Sequence, residues 1–513
     1  MTYSGRLQCR FAIRSFILIL FCSFSYLQST NAQIIQTPVN TALGGGGTAY
    51  TTGYESLFIN PANLYIQEKE YSFQIAAGNF GSYFSSPLES DGLHNYWSRY
   101  LDQTSGFTPV WNTVNTQNRS EFINRNYSND LMQSTHQSRG EFHWIGMHWS
   151  RFDKSYAVAL RTRYSNRFTI GRNYYDQTSF GSQSGIDLDR SLSHHFQALH
   201  ELSFGYAESF SFINGLIPQL SQLIVGIAPK LVVSGAYLNS VYTDNYRSIS
   251  DGPGFQRHRS YNYYSTGRFT DMADRFRNGQ NPYDREINRP DLFRPAGFGA
   301  GLDLGLTYLI TLGDDLSVVR ISDPSTRKSL RISLSITDIG FIYHTDSPRH
   351  VSISELVTET SELPELSEGY FLGRPGEQFH FLDMNGGHPI MQVETGNTDA
   401  FSSLLPTMIH TGLLFQVSRL KLMGDFSFSL VESAFSSTRP VTYLGTEIRI
   451  LSFIPLRAGL RITPSQPDYI SFGTGLETKY FDLNIGVQFR SQSLRPTEEI
   501  TGFSMAGLKF YIP

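Results

Sequence analysis

The sequence predicts an all-β protein, a transmembrane antiparallel β-barrel of about fourteen strands. Three observations carry that reading. The last third of the chain is a series of amphipathic strands joined by very short turns. The long connections all fall on one side of the predicted sheet. No segment after the N-terminus is long and apolar enough for a membrane helix, so membrane residence would have to come from strands.

The first observation is clearest at 481–490. Phe481, Leu483, Ile485, Val487 and Phe489 fall on one face, and Asp482, Asn484, Gly486, Gln488 and Arg490 on the other. Side chains alternate across a strand with period two, so the ribbon is apolar on one side and polar on the other. The neighbours at 456–462 and 470–476 repeat the pattern. A water-soluble sheet hides its apolar face in a core, whereas a barrel in a bilayer turns that face to lipid and keeps the polar face inside.

The N-terminus reads as a secretory signal over residues 1–32. Arg6, Arg10 and Arg14 form a basic region, 16–24 is an apolar stretch, and Thr30-Asn31-Ala32 ends in a small residue suited to cleavage. The apolar stretch is shorter than the ~20 residues a helical span needs. Phe21 stands before Cys22 where a lipoprotein signal needs a small residue. Both cysteines, Cys9 and Cys22, lie in this leader, so the mature chain has no disulfide or thiolate site. Its loss removes three arginines and no acid, taking the formal charge from −4 to −7 and arguing against nucleic acid as a partner. With 40% hydrophobic, 14% aromatic and 17% charged residues, the composition is too polar for a helical membrane protein and too aromatic for a disordered one.

Residues 33–68 do not alternate. Four consecutive glycines, Gly44 to Gly47, and Asn60-Pro61-Ala62-Asn63-Leu64 exclude a regular central strand and predict loops and short helices. Residues 69–513 then hold the strand candidates: 71–78, 141–149, 156–164, 196–208, 223–237, 298–310, 331–338, 407–417, 421–431, 442–451, 456–463, 470–477, 481–490 and 503–512. Pro229 predicts a bend or bulge in the fifth. Long connections follow the first, third, fifth and seventh strands, at about 80–140, 166–195, 239–296 and 340–406. An outer-membrane barrel sorts its connections in this way, with long extracellular loops and short periplasmic turns. An even strand count returns the aromatic C-terminus to the periplasmic side.

The polar faces carry both signs of charge. Arg161, Arg163, Asp303, Arg331, Glu447, Arg449, Arg457, Arg461 and Asp482 are therefore expected to line a wetted lumen and to pair there with one another. A mid-bilayer Arg or Lys on the lipid face would cost ~2–4 kcal/mol.

Together, the glycine cluster, the Asn-Pro-Ala segment at 60–62, the Leu405-Pro406-Thr407 approach to the eighth strand and the 454–459 segment give the mature chain a texture that resembles the FadL/PorV group of outer-membrane proteins. Its nearest texture is that of uncharacterised Bacteroidota members. The resemblance implies that 33–68 is a plug inside the barrel, with Gly44, Gly45, Gly46, Gly47, Asn60, Pro61 and Asn63 in its turns. It also implies one of two roles. One is passive uptake of small, fatty-acid-like hydrophobic compounds across the outer membrane. The other is a PorV-like secretion shuttle or surface scaffold with a protein partner. No residue here chooses between them.

No enzyme, metal or cofactor is expected. There is no G-x-S-x-G, and Gly181-Ser182-Gln183-Ser184-Gly185 has the wrong spacing. His143 and His148 differ by five and should face opposite sides of a strand. His194-His195 is placed in a loop, and Glu362, Glu365 and Glu368 in a solvated acidic one. Tyr261, Tyr263 and Tyr264 are expected to line or buttress a loop surface.

Overall fold

The protein is seen in a computed structural model that describes residues 37–85, 119–127, 133–151, 153–174, 187–210, 221–249, 254–277, 291, 293–311, 328–361, 398–436, 438, 440–463, 468–492, 495–505 and 507–513. The expected leader at 1–32, the 181–185 motif and the three loop glutamates lie outside them.

Eighteen strand segments form one sheet. They are β1 (Phe73–Ser85), β2 (Gln133–Arg151), β3 (Lys154–Gly171), β4 (Asp187–Phe210), β5 (Ser221–Ser248), β6 (Phe255–Thr266), β7 (Gly297–Thr311), β8 (Lys328–His344), β9 (Arg349–Thr360), β10 (Phe401–Leu404), β11 (Met408–Val417), β12 (Leu420–Ser429), β13 (Val441–Leu451), β14 (Ile454–Ile462), β15 (Tyr469–Glu477), β16 (Phe481–Gln492), β17 (Arg495–Met505) and β18 (Lys509–Ile512). β10 and β11 occupy one position beside β8, and β17 and β18 occupy one position beside β1. β6 and β9 stand outside the ring. Fourteen strand positions remain, and β1 closes them by pairing with β17 and β18 on one edge and β2 on the other.

Closure leaves no free ladder edge in the ring, which a strand protein in lipid requires. The surface is inverted relative to a water-soluble protein. Leu231, Leu413, Ile448 and Leu444 are 47–58% exposed on the outside, while Arg161, Arg163, Asp303 and Arg461 are 0–2% exposed within. At one end the turns are tight: β2 to β3 and β11 to β12 pass through Asp153 and Ser418, both at positive φ. The opposite end carries the long connections.

Several expectations need correction. The early strands run well past their predicted ends, and the connection after β5 continues as strand. The upper half of β5 pairs with β6, and β6 with β9, as an extension beyond the ring. The alternation there is masked by tyrosines, which read as polar or apolar according to burial. Tyr261 and Tyr263 are buried on β6 with stacked rings 5.9 Å apart, and Tyr264 stacks on His350. They belong to a sheet and not to a loop. Pro229 pairs opposite Leu302 without a register shift, because its missing N–H faces a gap in the β4 ladder. The shift between β4 and β5 falls instead between Gln197 and Leu199. His194 and His195 are buried within β4. His143 and His148 are also both buried, since Trp144 and Ile145 turn outward in succession at a β-bulge and reset the alternation.

Candidate functional site

Among the described residues, the N-terminal segment packs inside the barrel against the inner face of the strands. Its irregular course follows from its residues. Thr37 caps a five-residue helix, α1 (Pro38–Ala42), and Asn60 caps a 3-10 turn at Pro61–Tyr65 through Ala62 N at 3.2 Å. Gly44, Gly45 and Gly47 all adopt positive φ, a conformation costly for other residues.

The segment lies on strand glycines that point inward. A Cβ at Gly226 would overlap the backbone of Pro61 and Ala62, and one at Gly459 the backbone of Leu43 and Gly44. Small residues therefore let two backbones meet where side chains would otherwise fill the barrel.

Polar groups fix the register of this packing. The Asp425 carboxylate accepts from the backbone N–H groups of Gly47 and Thr48, the latter at 2.7 Å. Asn60 Nδ2 donates to Thr307 Oγ1 at 2.9 Å, and Thr307 Oγ1 donates to Asn63 Oδ1 at 2.7 Å. Ser335 Oγ donates to Ile59 O at 2.5 Å, and His148 Nε2 bonds Leu64 O at 2.9 Å. Tyr50 donates to Glu447, and burial keeps its hydroxyl protonated by pushing its pKa well up.

The nine charged residues expected inside are all buried, but they do not form one lining. Arg161 and Arg163 share Glu201, with Nε–O distances of 2.8 and 2.9 Å, and Arg161 also reaches Glu141 at 3.0 Å. Arg163 continues to Asp338 at 2.9 Å. Lys230 then bridges Asp338 and Asp303 at 2.5 and 2.8 Å. This network crosses β2, β3, β4, β5, β7 and β8.

A second network lies toward the tight-turn end. Arg449 and Arg457 are each held between Glu447 and Glu477. Glu68 joins Lys421 and Arg331 at 2.7 and 3.3 Å, Lys69 pairs with Asp482, and Glu55 meets Lys509 at 2.5 Å. Below the N-terminal segment these groups border a cavity of about 610 Å³ that includes Glu55, Glu68, Lys69, Lys421 and Asp482.

Arg461 belongs to neither network. It stacks on Tyr469 with its guanidinium carbon 3.8 Å from the ring centroid and donates to Tyr83 at 2.5 Å.

Sequence reasoning omitted Glu141, Glu201, Lys230 and Glu477, although their inward parity within predicted strands was available. Asp338 was harder to find, because it sits at φ 58° where β7 and β8 lose register. Among the described residues no group of three or more His, Asp or Glu could hold a metal ion.

The molecule is thus a closed fourteen-strand barrel with an apolar exterior, a charged interior and its own N-terminal segment packed inside. The chain belongs to a family of unknown function (DUF5723), whose model matches residues 77–487. No curated protein matches it. Similar solved structures include the TodX deltaS2S3 mutant monoaromatic hydrocarbon channel, at 12% identity and TM-score 0.41 over 93% of this chain and 98% of that one. The toluene transporter TodX of P. putida gives 12% identity and TM-score 0.38 over 92% and 96%. A Pseudomonas aeruginosa FadL homologue gives 10% and 0.36 over 94% and 96%.

Proposed function

We propose that the protein is an outer-membrane channel for passive uptake of small hydrophobic compounds, with residues 33–68 acting as its plug. The observation that carries this reading is the combination of an apolar outer belt with a separate, non-strand segment packed against inward-facing strand glycines. A barrel built only as an anchor has no use for a filling that is held by polar bonds and ion pairs instead of being continuous with the wall. In this reading the long-connection end faces outward and the tight turns face the periplasm. Eight of the nine lumen charges, all but Arg461, are structural partners in ion pairs that hold the wall around the plug, with no covalent chemistry. Outer-membrane placement is supported by the exposed Leu, Ile and Phe of the belt.

A crosslink tests the plug. Thr41 Oγ1 lies 2.7 Å from Ser504 Oγ on β17. Cysteines at both positions can therefore reach disulfide distance, in a mature chain otherwise free of cysteine. In proteoliposomes, oxidised Thr41→Cys/Ser504→Cys protein should block uptake of a hydrophobic solute, and reduction should restore it. Equal uptake in both states, with the wild type active, would show that the segment need not move.

The sheet extension built from β5, β6 and β9 favours a second reading, a surface scaffold or secretion shuttle. It stands beyond the ring and exceeds what closing a barrel requires. A stoichiometric protein partner co-purifying from the native membrane, with no uptake in liposomes, would select it.

A further inference from the structure

The cavity below the N-terminal segment has a lining that a passage for hydrophobic compounds does not need. Around its volume of about 610 Å³, only Val39 and Phe453 among the described residues have side chains without a polar atom. A pocket for an apolar solute is lined mostly by aliphatic and aromatic groups with a few polar ones. Here the proportions are reversed. Exposed Phe453 and Lys479, on the turns between β13 and β14 and between β15 and β16, place its mouth at the tight-turn end.

Two kinds of polar group surround the space. The first is ionic and comes in opposed pairs. Glu68 meets Lys421 at 2.7 Å, and Lys69 pairs with Asp482. The side chains of Glu68 and Lys69 are 20% and 21% exposed, against 3% for Lys421 and 7% for Asp482. Consecutive residues of opposite sign are thus the accessible members of otherwise buried pairs. The second kind is neutral. Gln74 of β1, Gln416 of β11 and Asn484 of β16 contribute side-chain amides. Gln416 is 1% exposed, and its Oε1 accepts no hydrogen bond from the described residues. A buried amide oxygen in that state is an acceptor for a ligand N–H.

We propose that this cavity is a binding site for a short peptide with free termini. A solute of one charge gains little here, because each charged group already faces its opposite. A molecule with both charges exchanges with both members of a pair, and one that also carries amides matches the neutral groups beside them. The peptide carboxylate is received by Lys69 and Lys421, its ammonium by Asp482 and Glu68, and its amides by the two glutamines and Asn484. The volume is that of a small-ligand site, on the order of 300–1,000 Å³, and takes a tripeptide of small residues. The peptide takes over charges that tie the N-terminal segment to the wall, so its binding is linked to the seating of that segment. The inference uses the cavity and its charges alone and does not rest on the channel reading.

Titration calorimetry of the full-length mature protein in detergent with trialanine, N-acetyl-trialanine and trialanine amide tests the proposal. Each capped peptide should bind about tenfold more weakly than trialanine, the factor expected when a charge-assisted hydrogen bond is lost. Two variants separate the termini. Lys69→Gln should shrink the penalty of the amide cap to within about twofold and leave that of the acetyl cap, and Asp482→Asn should do the reverse. A general loosening of the segment would instead weaken all three peptides alike. Retained heat-modifiable migration in gels shows that each variant is folded. Equal affinity for the three peptides, penalties that do not respond to the two variants, or absence of trialanine binding overturns the proposal. Uptake of a hydrophobic solute is read in a separate assay, so the channel reading stands if the peptide fails to bind, and this site stands if uptake fails.

Discussion

At the scale of single residues, function here depends on where size and charge are withheld. Gly226 and Gly459 carry no side chain because the N-terminal backbone passes where a Cβ would stand. Gly459→Val should therefore loosen the segment, costing roughly 1–3 kcal/mol as overpacking does, and it should lower the thermal midpoint of heat-modifiable migration. An unchanged midpoint would mean that the segment yields freely. Arg457 shows the converse. It is held by Glu447 and Glu477, so Arg457→Met leaves two buried carboxylates short of a counterion. The expected loss is roughly 3–5 kcal/mol in denaturant unfolding, partly recovered in Arg457→Met/Glu477→Gln. Full additivity of the two substitutions would mean that the pair is not coupled.

At the scale of elements, the N-terminal segment behaves as a separate piece seated in the wall. Among the described residues its ionic ties include Glu55 to Lys509 and Glu68 to Lys421 and Arg331, with Lys69, just past its end, bound to Asp482. Glu68→Gln weakens two of the four ties at once. Hydrogen exchange in residues 48–66 should then rise by about tenfold while the strands stay protected, because local opening draws on local contacts. A uniform rise across strands and segment would mean that segment and barrel open as one unit. The bulge at Trp144 works at the same scale. Trp144 turns out and donates to Thr162 Oγ1 at 2.9 Å, and the bulge there lets both His143 and His148 face inside. There His143 bonds Glu141 and His148 bonds the segment.

At the scale of the whole molecule, the inverted surface leads to an unequal response to charge. Leu444→Arg on the outside of β13 should reduce folded protein in bilayers, with a cost of ~2–4 kcal/mol near mid-depth. The neighbouring inward position, Tyr443, is buried instead against Leu43, Tyr50 and Met423 inside the barrel. Equal yields of Leu444→Arg in bilayers and in detergent micelles would place that face away from lipid.

The strand count was legible because alternation and turn residues are local signals, strongest in 405–513 where strands are short and turns tight. The ends of β2 to β5 were not legible. There the strands outrun the barrel, and Tyr, Asn and Ser fit either a strand or a loop. The inward charges could be read from parity, and parity fails wherever a bulge inserts a residue, as at Trp144 and Asp338. The two charge networks could not be read at all. Partners such as Glu201 and Asp338 stand 137 residues apart in the chain yet share Arg163.

By itself the sequence determined the class of the protein, because period-two alternation and short turns are properties of neighbouring residues. Only the tertiary structure decided what the lumen holds. Which glycines face the N-terminal segment and which charges pair around it depend on the closure that brings distant strands across from one another. That closure is a property of the whole ring, and no single stretch of the chain contains it.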